Sequence, residues 1–385
     1  MISAMRDLSR RTFIKTASAV TLTAAAPQCM AGQGMSTPSS TRVFVGTGTP
    51  DGILAYDWDP ATAALTPAGV AAKIPNVDWL CFSPGMRYIF AACEIDSFEG
   101  KPAGEVASFQ LEAGQLKPLS AQPSAGIGTC HVAVDATGHT LVSADYMGGS
   151  AASFRIFEGK LSQAVWTEHY KHHGPNADRQ ESAHAHFVSF SPDNRYVYIN
   201  DLGGDCIHIY RLDPATAMLT PTGTYTAAPG SGPRTLHFHP NGHTAYSMNE
   251  LASTVDVLEW HSAGGSLSLV KRIELLPSGY HGPTRGCDTV ISRDGRFVYF
   301  ANRDNDFLYS FSADPKTGAL TPIARSNCGG KTPRNFTLDP TERWMLVANQ
   351  DSNLISVFTR DPETGKLADQ GKSYDAPAPM RILFA

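Results

Sequence analysis

The chain has 385 residues, enough for one large all-β domain or two ordinary domains. Its 34 glycines and 26 prolines, with only 17% charged residues, indicate many turns and little exposed helix. The net charge of −5 provides no basic surface, which argues against nucleic acid and anionic membranes as partners.

The N-terminal segment has the pattern of an export signal. The paired Arg10 and Arg11 precede an uncharged run over residues 16–26, which is too short to span a bilayer. Paired arginines in this setting are typical of the address that the twin-arginine export machinery reads. We therefore predict a leader over residues 1–31, a linker over residues 32–40 and a periplasmic protein without a membrane anchor.

The cysteines do not follow a disulfide or metal-binding motif. None of the six that follow the leader lies in a Cys-x-x-Cys pair, and their spacing is close to one repeat of the chain. An oxidising periplasm permits disulfides, but residues at equivalent strand positions do not pair readily. We expect six buried free thiols. They are Cys81, Cys93, Cys130, Cys206, Cys287 and Cys328.

A repeat of 46 to 55 residues runs through the chain. A strand that ends in a turn occurs seven times, from Ile53–Asp59 to Leu354–Asp361, and Asp-Pro and Thr-Gly pairs typical of hairpins often follow it. A second unit, with two strands around a tight turn, precedes it in six copies, as at Phe190–Tyr198. Each repeat therefore predicts four strands, the content of one propeller blade.

The two ends of the chain complete each other. Residues 43–48 and 53–59 supply a second and a third strand without a first, and Met380–Ala385 matches the first strand of the other repeats. We predict an all-β fold over residues 41–385, a seven-bladed β-propeller of four-stranded blades whose last blade is closed by the N- and C-terminal strands. Such closure removes an exposed sheet edge.

The sequence resembles the seven-bladed lactonase family, which includes propeller-type 6-phosphogluconolactonases and fungal carboxymuconate-cyclising enzymes. The resemblance covers Thr41 to Ala385 and departs from the family pattern at positions such as Asp288 and Asn335. It implies active-site positions at His186, Arg234, Glu250 and Arg303. The motifs that carry it are Val43–Gly48, Gly128–His131, His173–Asn176, Arg179–Glu181, His184–His186, Asp201–Gly203, Gly232–Arg234, Asn249–Leu251 and Thr332–Arg334.

In a propeller the first strand of each blade lines the central channel, so its first residues surround one mouth. Alignment of the repeats places at one level Asp78, Cys130, His186, Arg234, Cys287, Arg334 and Met380. The next level holds Trp79, His131, Phe187, Thr235, Asp288, Asn335 and Arg381. The second strands end near the same mouth with Glu94, Tyr146, Leu202, Glu250, Arg303 and Gln350. Charges buried together in this way are costly unless they are paired or neutralised by a ligand.

These residues suit the hydrolysis of a small anionic ester. We assign proton transfer to His186, with Glu250 either orienting the imidazole or accepting the proton. Arginines hold carboxylate or phosphate in bidentate geometry. The predicted substrate-binding residues are Arg234, Arg303, Arg334, His131 and Asp288. The alternative is that arginine and glutamate pair across blades only to hold the ring together.

Two His-x-His pairs, His184/His186 and His237/His239, raise the question of a metal site. Zinc needs three or four convergent ligands, and spacing indicates no third ligand for either pair. We therefore expect no metal and no cofactor. The long connection over residues 161–183, which contains His172 and His173, is either a lid beside the channel or a solvated loop.

The favoured function is a 6-phosphogluconolactonase-like hydrolase, a monomer that acts on a small sugar-acid lactone. One alternative is a carboxymuconate-lactonising enzyme, since both reactions need an anion clamp and a proton carrier. Another is a non-catalytic binding propeller, because one fold hosts many functions. In each case the ligand is a small anionic lactone or carboxylate. Export favours a lactone without phosphate, because phosphorylated gluconolactone is a cytoplasmic metabolite.

Overall fold

The computed structural model describes residues 40–385. The predicted leader and the linker up to residue 39 lie outside the described residues and stay predictions. The described chain consists of 28 β-strands joined by turns and loops. Over this range no helix has the length and hydropathy needed to cross a membrane.

The strands are six to ten residues long, and most follow one another through tight turns. In chain order they are β1 Thr41–Thr47, β2 Ile53–Asp59, β3 Ala64–Ala72, β4 Val77–Phe82, β5 Tyr88–Cys93, β6 Glu105–Glu112, β7 Gln115–Pro123, β8 Thr129–Val134, β9 Thr140–Asp145, β10 Ser150–Phe157, β11 Lys160–His169, β12 Ala185–Phe190, β13 Tyr196–Asp201, β14 Cys206–Asp213, β15 Met218–Thr226, β16 Pro233–Phe238, β17 Thr244–Asn249, β18 Thr254–His261, β19 Ser266–Glu274, β20 Gly286–Ile291, β21 Phe297–Asn302, β22 Phe307–Ala313, β23 Leu320–Asn327, β24 Pro333–Leu338, β25 Trp344–Asn349, β26 Leu354–Arg360, β27 Leu367–Asp375 and β28 Pro379–Phe384.

The strands form seven antiparallel sheets of four, which are the blades of a propeller. Blades 1 to 6 each take four consecutive strands, from β4–β7 to β24–β27, and blade 7 has the order β28-β1-β2-β3. The inner strands β4, β8, β12, β16, β20, β24 and β28 contact one another in that order, and β28 returns to β4. The predicted seven-bladed β-propeller and its closure by the two terminal strands are confirmed.

The closing blade joins residues from opposite ends of the chain. Val45 of β1 pairs with Ile382 of β28, and Val43 pairs with Phe384. The fully buried Trp58 packs edge-on against Phe384, with ring centroids 6.3 Å apart. The hydrophobic contact and the backbone ladder together hold the ring shut, and β28 covers the edge of β1 that would otherwise be unpaired.

The hydrophobic core lies between the blades. Seven clusters of buried side chains each join two neighbouring sheets. A repeated hydrogen bond adds to this packing, because the hydroxyl of Tyr246 in β17 donates to the carbonyl of Gly318 in the next blade at 2.7 Å. Tyr198 and Tyr299 make the same bond to their neighbouring blades. The core thus surrounds the channel and leaves its lining free to be polar.

Each inner strand has a shift in register near its first residues. Residue 186 is skipped in the pairing of β12 with β13, residue 234 in β16 and residue 334 in β24. A β-bulge of this kind leaves the extra residue without a cross-strand partner and turns its side chain. The skipped residues are those that the repeat alignment places at the first level of the channel. In β20 the shift spans two residues, Cys287 and Asp288.

Candidate functional site

A polar cavity of about 210 Å³ lies at the channel mouth where the inner strands begin. Six of the seven blades or their connections contribute side chains to it, because the first residue of an inner strand and the end of the second strand meet there. The cavity is lined by Glu94, Cys130, Tyr146, Arg179, His186, Glu250, Arg303 and Arg334. Four of the predicted residues, His186, Glu250, Arg303 and Arg334, are therefore brought together.

Glu250 is the central anion of the site. Its Oε2 forms ion pairs with Arg303 Nη2 at 2.7 Å and Arg234 Nε at 3.0 Å, and its Oε1 accepts a hydrogen bond from Arg179 Nη2 at 2.7 Å. Burial alone would raise the pKa of Glu250, but Arg303, Arg234, His186 and Arg179 hold that pKa well below its usual range. Glu250 is therefore ionised at neutral pH, and its role as the partner of His186 or as the proton acceptor stays a prediction.

The backbone at the end of β17 fixes the position of Glu250. Its amide donates to the carbonyl of Gly232 at 2.7 Å, which ties it to the turn before Arg234. Gly232 has a φ of +62°, and a Cβ there would lie 2.6 Å from the side chain of Leu251. Glycine is therefore required at this turn, which aligns the guanidinium of Arg234 with the carboxylate.

His186 is buried beside Glu250. Its Nε2 lies 4.0 Å from Glu250 Oε2, and its ring meets the edge of Tyr146 at a centroid distance of 5.5 Å. Burial, followed by Arg234, lowers the pKa of His186 well below its ordinary value, with Glu250 opposing the shift. The imidazole is thus neutral at physiological pH, and a proton that it accepts is stabilised by the carboxylate 4.0 Å away.

A second group of charges lies on the opposite side of the cavity. Arg334 Nη2 contacts Asp78 Oδ1 at 2.6 Å and Glu94 Oε2 at 3.9 Å. Burial and the neighbouring Asp78 raise the pKa of Glu94 to about 7, although Arg334 opposes this shift. Glu94 is therefore a carboxyl group that changes its charge near neutral pH at the edge of the cavity.

Arg179 reaches the cavity from the long connection between β11 and β12. Besides Glu250 it contacts Tyr146, to whose hydroxyl its Nη2 donates at 3.0 Å. The neighbouring Gln180 is fully buried, and its Nε2 donates to the carbonyl of Leu202 at 2.8 Å. This segment is thus anchored to blade 3. No role for Arg179 was predicted from the sequence, although the Arg179–Glu181 motif contributed to the family resemblance.

His131 and Asp288 lie one layer deeper and do not line the cavity. His131 is buried between Trp79 and Phe187, with ring centroids at 4.4 and 3.8 Å. Asp288 accepts a hydrogen bond from Asn335 Nδ2 at 2.7 Å. Their contact with a substrate stays a prediction. Arg234 is also absent from the lining, and its Nη1 donates to the carbonyl of Cys287 at 2.7 Å.

The two His-x-His pairs do not converge on a common point in the described structure. His184 Nδ1 bonds the carbonyl of Tyr146 at 2.9 Å, whereas His186 faces Glu250. His237 Nε2 lies 3.5 Å from Asp288, and His239 Nε2 bonds the carbonyl of Gly295 at 2.7 Å. Neither pair has the arrangement of a zinc site.

The cavity has an excess of positive charge in both protonation states of Glu94. Its surroundings hold four guanidinium groups and three carboxyl groups, which are Arg179, Arg234, Arg303, Arg334, Asp78, Glu94 and Glu250. One positive charge remains unbalanced when Glu94 is ionised, and two when it is not. A larger groove of about 660 Å³ between outer strands has no carboxylate in its lining and lies away from these charges.

Comparison with known proteins identifies the family of the chain. Residues 42–384 match the family described as "Lactonase, 7-bladed beta-propeller". A 6-phosphogluconolactonase of Bacillus subtilis is 32% identical over 309 residues, which cover 79% of this chain and 86% of that protein. A 6-phosphogluconolactonase of Formosa agariphila is 33% identical over 316 residues, with coverage of 79% and 88%.

A solved structure extends the similarity to three dimensions. The periplasmic gluconolactonase of Pseudomonas aeruginosa superimposes with a TM-score of 0.84 at 31% identity, over 90% of this chain and 99% of that one. The family match, the curated relatives and this structure agree with the seven closed blades. The chain belongs to the seven-bladed β-propeller lactonase family and is a lactone hydrolase.

Proposed function

We propose that the protein hydrolyses a small sugar-acid lactone in the cavity at the channel mouth. The observation that carries this proposal is the pairing of a buried neutral imidazole, His186, with a carboxylate that three arginines keep ionised. A neutral imidazole accepts a proton from water, and a fixed anion beside it stabilises the imidazolium that forms.

The size and charge of the cavity favour a small electron-rich ligand. Its volume of about 210 Å³ is below the range of pockets for drug-sized molecules. Arg179, Arg303 and Arg334 line it, and their donors not committed to carboxylates are available to carbonyl, hydroxyl or phosphate oxygens. These groups form the proposed anion clamp. Arg234 lies outside the lining and holds Glu250 through its ion pair.

The reaction follows from these positions. His186 takes a proton from a water molecule as the water oxygen bonds to the lactone carbonyl carbon, and the carbonyl oxygen becomes an oxyanion beside the guanidinium groups. The tetrahedral intermediate then breaks its bond to the ring oxygen, which receives the proton from the imidazolium. The product is the open sugar acid, and its carboxyl proton passes to solvent.

The expected site of action is the periplasm. The paired Arg10 and Arg11 support export by the twin-arginine machinery, and one structural relative is itself a periplasmic gluconolactonase. Because phosphorylated gluconolactone is a cytoplasmic metabolite, we propose gluconolactone without phosphate as the physiological type of substrate. The periplasmic location rests on these two observations.

The substrate proposal is tested by comparing three compounds on the purified protein. They are gluconolactone, its 6-phosphate and a carboxymuconate, with hydrolysis corrected for the spontaneous rate. We expect enzymatic opening of both lactones and a higher kcat/KM for the form without phosphate. Turnover of the muconate alone would establish the lactonising reaction instead. Binding of all three compounds without turnover would establish a binding propeller.

A further inference from the structure

A group of four potential metal ligands lies in blade 3, outside the residues that line the cavity. His172 belongs to the connection before β12, Asp201 ends β13, and Cys206 and His208 lie on β14. One ligand atom from each of the four lies within 4.8 Å of every other. We call these residues the blade 3 cluster. No role in the proposed lactone chemistry falls on any of them.

The distances within the blade 3 cluster are those of a tetrahedral metal site. Asp201 Oδ2 lies 3.5 Å from His208 Nε2 and 3.6 Å from His172 Nδ1, and Cys206 Sγ lies 3.6 Å from His208 Nε2. Zinc bond lengths in proteins place nitrogen and oxygen ligands about 3.3 Å apart on a tetrahedron, and sulfur and nitrogen about 3.6 Å apart. These three distances lie within about 0.3 Å of that arrangement, and the remaining pairs of ligand atoms lie within 4.8 Å of each other.

Asp201 is oriented as a ligand. It is fully buried, and its Oδ1 accepts hydrogen bonds from the amides of His184 at 2.8 Å and Gly204 at 3.0 Å. Its Oδ2 has no hydrogen-bond partner and faces the two imidazoles. A buried carboxylate oxygen without a partner is costly, whereas coordination to a cation satisfies it. The two amides supply the outer contacts that hold a metal-binding carboxylate in place.

The chemistry of the donors selects the metal. One thiol, two imidazoles and one carboxylate form a mixed set with borderline-soft character, which suits zinc better than calcium or magnesium. The ring of His208 stacks on Tyr170 at a centroid distance of 4.0 Å and an angle of 4°, which fixes its plane. Cys206 and His208 are both buried, so the ligands from the blade are already in place.

We propose that the blade 3 cluster binds one Zn²⁺ ion, with His172 as the ligand from the connection and the other three from the blade. Binding releases the thiol proton to solvent. The ion joins the connection to the blade only a few residues before Arg179, which reaches Glu250. The site is therefore structural, and it holds in place the segment that supplies a guanidinium to the cavity. This last role rests on the proposed lactonase function.

The experiment uses the untagged full chain, which is stripped of metal with a chelator and then dialysed against a small molar excess of zinc. We expect about one zinc per chain by elemental analysis and a higher Tm in the zinc form. Cobalt in place of zinc should give a sulfur-to-metal charge-transfer band in the near ultraviolet. His172→Ala, at a residue with 53% of its side chain exposed, should lower zinc affinity about tenfold or more without unfolding the blade. His173→Ala, at the next exposed residue, should have no effect.

Two results would overturn the metal site. One is a stripped protein that takes up no zinc, and the other is zinc binding that His172→Ala and Cys206→Ser leave unchanged. Since Cys206 is buried, loss of folding in Cys206→Ser leaves His172→Ala as the deciding variant. Zinc binding is measured without any substrate. A protein that binds zinc but opens no lactone would contradict the proposed function and leave the metal site standing.

Discussion

Arg303 Nη2 and Glu250 Oε2 lie 2.7 Å apart, in adjacent blades and both nearly inaccessible to solvent. Arg303 follows β21 and Glu250 follows β17, so the pair bridges blades 4 and 5 at the channel mouth. The same carboxylate also pairs with Arg234 and Arg179. One anion thus contacts three guanidinium groups, which makes Glu250 important to the stability of the mouth as well as to its chemistry.

Glu250→Gln should destabilise the protein, because it leaves Arg179, Arg234 and Arg303 close together without their shared anion. Removing one partner of a buried ion pair typically lowers the free energy of unfolding by about 3–5 kcal/mol. Chemical denaturation should show this loss in the free energy of unfolding. The control Glu259→Gln, on the exposed face of β18, should stay within about 0.5 kcal/mol of the wild type. Equal stability of Glu250→Gln and wild type would contradict the electrostatic account.

Arg179→Ala should raise KM for the 6-phosphate more than for gluconolactone. Arg179 lines the cavity, and 33% of its side chain is exposed. Its replacement therefore removes one guanidinium of the anion clamp and leaves the hydrophobic core unchanged. Loss of a charge-assisted contact to the ligand is expected to lower kcat/KM by an amount that corresponds to about 2–5 kcal/mol of lost transition-state stabilisation. Arg155→Ala, on the exposed face of β10, is the control. Equal KM values for Arg179→Ala and wild type on both lactones would remove Arg179 from the clamp.

Glu94 should make both stability and binding depend on pH. Its pKa in the folded protein is about 7, above the ordinary glutamate value, so the folded state binds more protons than the unfolded state between these values. The stability contributed at low pH is therefore lost as the pH rises through about 7. Ionised Glu94 also adds a negative charge to the cavity, so KM for the 6-phosphate should rise above that pH.

Glu94→Gln stays neutral and should remove both effects. The full pKa shift corresponds to a change of at most about 3 kcal/mol in the free energy of unfolding. Because water at the cavity mouth screens Glu94, we expect a change of about 1–2 kcal/mol. The variant should therefore gain this much stability over wild type at pH 8 and little at pH 5, measured by urea denaturation. Glu168→Gln, exposed on β11, should show no such difference. If KM rises with pH to the same extent in Glu94→Gln as in wild type, a group other than Glu94 causes the pH dependence of KM.

Replacing Arg10 and Arg11 with lysine should retain the precursor in the cytoplasm, because the export receptor reads the arginine pair. Cell fractionation followed by immunoblotting measures the distribution. Arg6→Lys lies outside the pair and should be exported normally. Undiminished periplasmic protein in the double variant would count against the twin-arginine route.

The blades could be predicted from the sequence because every repeat carries the same strand and turn pattern. The orphan strands at the two ends also indicated the closure that β28 and β1 form. The bulges in the inner strands could not be predicted in this way, since a register shift depends on pairing geometry. They nevertheless explain why residues 186 and 334 line the cavity at the mouth.

The site was predicted less completely than the fold. Repeat alignment finds residues that recur in each blade, such as His186 and Arg334, but Arg179 lies in the one long connection and has no counterpart. The expected absence of a metal rested on His-x-His spacing alone. The proposed ligand set instead joins His172 to His208 across 36 positions of sequence, and only the fold brings them together.

The most direct test of the account is the pH profile of kcat for gluconolactone in wild type and His186→Ala. If His186 carries the proton, the variant should lose about 10²–10⁴ in kcat and the acid limb of the profile, while it remains folded. His139→Ala, at an exposed turn, should behave as wild type. Wild-type kcat across the whole pH range in His186→Ala would contradict the assignment and place the base elsewhere in the cavity.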